Sequence, residues 1–162
     1  MTKIRLTDII YAKCYSFKSW SIHNINITNI QLDKIWKDKL FNELFEMPEF
    51  GALNEYLNEE KLKYEIFPFP YLLYNAFNYT SYDNVNVVIL GQDPYPNFEI
   101  YNDELKPNAM GLSFSVPYDN PIPSSLKNIF NNLNKFEHFY DKKNPKHGNL
   151  RSWGSHALTK KN

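Results

Sequence analysis

Val85-Asn86-Val87-Val88-Ile89-Leu90-Gly91-Gln92-Asp93-Pro94-Tyr95-Pro96 is the stretch that decides how the chain is read. A short, nearly continuous apolar run rich in β-branched residues and stopped by a glycine has the pattern of a parallel strand buried on both faces. In open α/β sheets, chemistry gathers in the loops at the carboxyl edge of such strands. Gln92, Asp93 and Tyr95 are therefore expected to project into a cleft. The expected fold class is α/β: three layers, α/β/α, around a short parallel sheet.

The rest of the composition bounds what surrounds this strand. A chain of 162 residues is one domain's worth and long enough for a sizeable core. With 43% apolar and 17% aromatic residues, global disorder is excluded. Lys+Arg and Asp+Glu number 18 each, so contact with nucleic acid needs a local patch rather than net charge. Cys14 is the single cysteine, which rules out an intramolecular disulfide and fits a reducing, intracellular setting. Nucleus and cytoplasm both stay open. No apolar run reaches the ~18 residues of a membrane-spanning helix, so no membrane partner is expected. Residues 1–21 have neither the continuous apolar core nor the cleavage site of a secretory signal.

Residues 1–28 read as an N-terminal extension, either short strands or a leader packed on the core. Residues 29–162 read as one domain. From Gln31 the apolar residues Leu32, Ile35, Trp36, Leu40, Leu44 and Phe45 recur at helical spacing, and Pro48 ends that helix. Phe50, Leu53 and Leu57 mark a second amphipathic segment. Residues 66–70 alternate with prolines and read as extended. Residues 71–77 form a short helix candidate. The polar residues 97–108 read as a surface loop, and the alternating residues 111–116 as a short strand. Leu126, Ile129, Phe130, Leu133 and Phe136 form a further helical stripe, with Ser124 or Ser125 as its cap. Residues 141–148 read as a charged turn, and residues 149–153 as one last helical turn.

Asp93 alone is a loop aspartate before a proline, a residue type that favours turns. Its company allows a sharper reading. Gln92 offers a donor and an acceptor, and Tyr95 a flat wall, a set suited to a planar polar ring. A carboxylate beside such a ring orients water or stabilises a sugar cation. Phe114 is either a core aromatic or a stacking platform. Ser125 is a helix cap, and a helix start also binds phosphate through its free N–H groups. His23, His138, His147 and His156 have no metal-ligand spacing and Cys14 has no partner, so no metal is expected.

These blocks together resemble the family 1 uracil-DNA glycosylases. Gly91-Gln92-Asp93-Pro94-Tyr95, after its apolar run, resembles the family signature. Gly111-Leu112-Ser113-Phe114-Ser115-Val116 resembles the next block, and Pro123-Ser124-Ser125-Leu126-Lys127-Asn128-Ile129 the phosphate loop and following helix. Residues 66–77 are similar to the approach to the first strand. The resemblance runs in order from about Trp36 to Trp153. It implies a DNA glycosylase, a hydrolase that starts base-excision repair on uracil-containing DNA, monomeric and free of metal and cofactor. It assigns Asp93 the catalytic role, activating water and supporting the cationic transition state. It makes Gln92 a uracil contact, Tyr95 the wall that excludes thymine, and Phe114 the platform under the flipped base. Pro123, Ser124 and Ser125 would grip DNA phosphate.

The sequence departs from the family in three places. Pro96 and Met110 stand where most members carry histidines. After Trp153 the family continues with an apolar strand, further parallel strands, a histidine motif and an apolar wedge. Here residues 154–162 read Gly-Ser-His-Ala-Leu-Thr-Lys-Lys-Asn. Asn162 matches the family's uracil-reading asparagine in spacing, but Lys160 and Lys161 do not suit a buried strand, so the match is taken as coincidence. The domain is expected to be C-terminally incomplete, with a frameshift or premature stop as the hypothesis. The alternative function is an inactive remnant that at most binds DNA or a protein partner, and a poorly folded product is the third outcome.

Overall fold

The protein is described by a computed structural model over residues 3–5, 20, 25–101, 104–135 and 145–155. The Asp33 carboxylate accepts from the backbone N–H groups of Ile35 and Trp36 at 3.1 and 3.2 Å. That cap opens α1 (Lys34–Trp36), which passes through one wide turn, Lys37–Phe41, into α2 (Asn42–Glu46). Pro48 lacks the N–H a helix interior needs. It therefore ends this helix and starts α3 (Pro48–Glu60) at a position where the missing donor costs nothing. Edge-on aromatic contacts, Trp36 with Phe77 and Phe41 with Tyr74 and Phe77, hold α1 and the wide turn against α4 (Asn75–Tyr79).

Two small antiparallel ladders follow. β1 (Lys3–Arg5) pairs with β2 (Tyr64–Ile66), Ile4 opposite Glu65. β3 (Phe98–Tyr101) pairs with β4 (Glu104–Pro107), Ile100 opposite Leu105. The second ladder corrects the expected surface loop at 97–108. Leu105 enters a buried cluster with Phe67, Phe69, Leu72 and Ala109, and Phe98 packs against it, so one face of the hairpin is core. A second cluster joins Trp20, Ile27, Leu57 and Ile66. The Trp20 indole N–H donates to the Pro68 carbonyl at 2.8 Å. The third cluster joins Leu126 and Phe130 of α5 (Ser124–Leu133) to Leu150, just before α6 (Arg151–Ser155). Phe136, Cys14, His23, His138, His156 and Asn162, and most of residues 1–28 and 141–144, lie outside the described residues.

The run at 85–90 departs from its expected burial. Val87 and Val88 are each 78% exposed and Leu90 90%, and the run belongs to no ladder. Both ladders among the described residues are antiparallel, so the expected parallel pairing is absent there. The physical reason is local. A parallel strand needs a neighbour on its edge and layers over both faces, and no described strand lies beside this run.

Candidate active site

A cleft of about 690 Å³ opens at the end of the run. Residues 90–96 form one wall and residues 109–114 the other, with Pro68, Leu73 and Ala76 behind and Ser125 at the rim. Buried Asn75 fixes the second wall by donating from its side-chain amide to the Met110 carbonyl at 2.8 Å. The Ala76 N–H donates to the Gly111 carbonyl at 3.1 Å. Gly111 has φ +68°, and a Cβ there would overlap the Leu72 carbonyl oxygen, so both its conformation and its close approach require glycine.

Phe114 has φ +63°, a left-handed conformation rare for a bulky side chain and costing about 1–2 kcal/mol. Two left-handed residues within residues 111–116 make this block a turn, which corrects the expected strand. The Ser115 N–H closes it on the Leu112 carbonyl at 3.2 Å. Ser113 ties the walls together, its hydroxyl donating to the Ile89 carbonyl at 2.8 Å.

The Tyr95 hydroxyl lies 2.9 Å from Ser125 Oγ and 3.4 Å from the Phe114 carbonyl. One hydrogen-bonded corner thus gathers Tyr95, Phe114 and Ser125. Neither serine caps α5: Pro123 occupies the N-cap, with no side-chain bond to the helix, which corrects the expected capping. Ser125 lines the cleft, whereas Pro123 and Ser124 adjoin it outside the lining. Gln92 and Asp93 line it and are exposed. Among the described residues nothing hydrogen-bonds the Asp93 carboxylate, which stays free for water or ligand.

Three residues that hold the site were not assigned a role from the sequence. Asn75 acts on a carbonyl 35 positions away. Met110 is 6% exposed, and its sulfur receives Ser115 Oγ at 3.6 Å and Asn149 Nδ2 at 3.8 Å. Ser115, fully buried, accepts the Leu150 N–H at 3.0 Å and so anchors the segment leading to α6. Pro96 and Met110, the two departures from the family pattern, both line the cleft. Among the described residues, no group of three or more His, Cys, Asp or Glu could hold a metal ion. No helix of the described residues is long and apolar enough to cross a membrane.

No family model matches the chain. It is 48% identical over 103 residues to a probable uracil-DNA glycosylase of Acanthamoeba polyphaga mimivirus, covering 64% of this chain and 26% of that one. It is 43% identical over 115 residues to the uracil-DNA glycosylase of Helicobacter hepaticus, covering 70% and 48%. The crystal structure of mimivirus uracil-DNA glycosylase matches with a TM-score of 0.73 at 40% identity, over 87% of this chain and 51% of that one.

Over about two thirds of its own length the chain is similar to uracil-DNA glycosylases.

A mimivirus UNG variant in complex with UGI matches equally well, with a TM-score of 0.76 at 39% identity. The α/β fold of the uracil-DNA glycosylases is thus present, and the chain spans about half the length of these solved relatives. The two motif blocks that resemble the glycosylase family are the two walls of the cleft, joined by the Ser113–Ile89 bond.

Proposed function

We propose that this chain acts in uracil excision from DNA, hydrolysing the N-glycosidic bond to start base-excision repair. The observation that carries the proposal is the convergence of Asp93, Tyr95, Phe114 and Ser125 on one cleft. A base inside the duplex exposes no path to its glycosidic bond, so the nucleotide must turn out into the cleft. There the Phe114 ring offers a stacking face and Gln92 a polar edge. The Tyr95 ring, fixed at its hydroxyl by Ser125, occupies the position where a 5-methyl group would clash. The free Asp93 carboxylate orients water toward the sugar carbon and stabilises positive charge there. Water adds to that carbon and gives up a proton to the Asp93 carboxylate, the carbon–nitrogen bond breaks, and its electron pair leaves with uracil as the anion. Ser125, with Pro123 and Ser124 beside it, takes the flanking phosphate.

On this proposal residues 29–162 are the glycosylase-like domain, with residues 1–28 an extension upon it. One copy acts on uracil-containing DNA inside the cell, without metal or cofactor. Release of uracil from single-stranded and duplex oligonucleotides tests it. Asp93→Asn is expected to lower the rate at least about a hundredfold with an unchanged melting curve. Release that Asp93→Asn leaves intact would overturn the assignment. Salt-sensitive binding of the same oligonucleotides with no release in either protein would favour a DNA-binding remnant.

A further inference from the structure

The zero net charge of the chain hides a division along its length. Residues 1–119 carry 16 of the 18 acidic side chains, whereas residues 120–162 carry only two, against eight of the 18 basic ones. The basic portion includes Ser125, at the rim of the cleft. A local cationic surface attracts a polyanion even in a neutral molecule.

An aromatic side chain stands beside that portion. Tyr118 is 59% exposed and packs on the His147 ring, with centroids 4.4 Å apart. His147 is itself held, its Nδ1 accepting the N–H of buried Asn149 at 3.2 Å. Tyr118 thus presents its ring to solvent and is already restrained before anything binds. Asp119, the acid next to it, pairs with Lys106 at 3.6 Å. Lys127 and Lys146 are exposed, and among the described residues neither has an ion pair.

These groups adjoin the cleft. The Val116 N–H donates to the Gly148 carbonyl at 3.0 Å, and a Cβ on Gly148 would meet Val116, Ile122 and Leu126. The segment before Gly148 therefore lies against the start of α5, and Tyr118, two residues beyond Val116, comes with it. Within α5, Ser124, Lys127 and Asn128 share one exposed face at helical spacing, next to Ser125. An exposed ring flanked by unpaired ammonium groups fits single-stranded nucleic acid, whose bases stack on aromatic faces while cations follow the backbone. A duplex keeps its base faces stacked on one another, so the ring favours an unpaired strand.

We propose that Tyr118, backed by His147, is a stacking shelf for the unpaired DNA strand that runs from the cleft past Ser125, with Lys127 and Lys146 on its phosphates. The inference rests on reading the cleft as a DNA site, but its readout is binding and needs no uracil release. Fluorescence anisotropy of the full chain tests it, with a uracil-containing single strand of about a dozen nucleotides and with the matching duplex. Tyr118→Ala is expected to weaken single-strand binding at least about fivefold and duplex binding less. Lys127→Ala and Lys146→Ala are each expected to flatten the slope of log affinity against log salt by about 0.7. Lys63→Ala, at an exposed lysine of the acidic portion, is expected to change neither. All four variants should melt like the parent, because each substituted side chain is exposed. Shelf-dependent binding without uracil release would support the shelf while overturning the excision reading. No single-strand binding by the parent, an affinity unmoved by Tyr118→Ala, or slopes unmoved by both lysine substitutions would overturn the proposal. Equal losses on single strand and duplex would overturn it as well.

Discussion

Substituting Gly111 with alanine isolates what holds the second wall of the cleft. The residue sits at φ +68°, where an L side chain costs about 1–2 kcal/mol. The added Cβ would overlap the Leu72 carbonyl oxygen and lie 2.9 Å from the Asn75 Cβ. Both are parts of a packed frame rather than ends of flexible side chains, so overpacking adds about 1–3 kcal/mol. The total is about 2–5 kcal/mol, or roughly 4–20 °C in melting temperature for a chain of this size. Gly51 supplies the matched control. It lies inside α3 with nothing within 4 Å of its would-be Cβ. There alanine removes backbone freedom from the unfolded chain and gains about 0.5–1 kcal/mol. The same chemical change is thus expected to move stability in opposite directions at the two sites. Circular dichroism melts and urea titrations of both variants measure it. A loss below about 0.5 kcal/mol at Gly111, or equal effects at both positions, would refute the argument that backbone conformation and close approach fix this wall.

Ser115→Ala removes a buried hydroxyl that serves Leu150 N–H and the Met110 sulfur. It strands a buried donor and is expected to cost about 1–3 kcal/mol, read from the urea midpoint. An unchanged midpoint would mean that the segment before α6 is anchored elsewhere. Burial pushes the Tyr74 phenol up to about 12 from its ordinary value of 10.0, and its hydroxyl donates to the Ile27 carbonyl at 3.0 Å. Between these two values the unfolded chain releases the proton while the native state keeps it, so stability falls as pH rises through that window. At neutral pH Tyr74→Phe is expected to cost about 0.5–1.5 kcal/mol for the lost hydrogen bond. That gap from the parent should shrink or reverse as pH rises from about 10 towards 12. A constant gap across the window, in urea titrations at each pH, would refute the assignment.

What the sequence made legible follows from how far each feature reaches along the chain. The helices over residues 34–60 announce themselves because their apolar residues recur at helical spacing and Pro48 acts on its immediate neighbours. Gln92, Asp93 and Tyr95 lie within four positions of one another, so their convergence on one cleft follows from a single loop. The β3–β4 hairpin was hidden because the burial of Leu105 depends on Phe67 and Phe69, far away in sequence. The turn at 111–116 was hidden by its alternation, which resembles a strand until the left-handed Gly111 and Phe114 break it. The run at 85–90 is the opposite case. Its residues state a preference for burial, but a preference does not supply the neighbours that satisfy it.

These differences bear on how the site keeps its shape. An enzyme loop at the end of a strand is ordinarily held by the strand's own ladder, yet residues 86–93 have none among the described residues. Two side-chain bonds take over instead: Ser113 on the Ile89 carbonyl below the loop, and Tyr95 on Ser125 above it. Both partners are themselves held by packed structure. Ser113 belongs to the wall that Asn75 fixes through Met110, and Ser125 lies in the first turn of α5, whose Leu126 is fully buried. The geometry around Asp93 therefore depends on the wall and on α5, while the exposed run adds little to it.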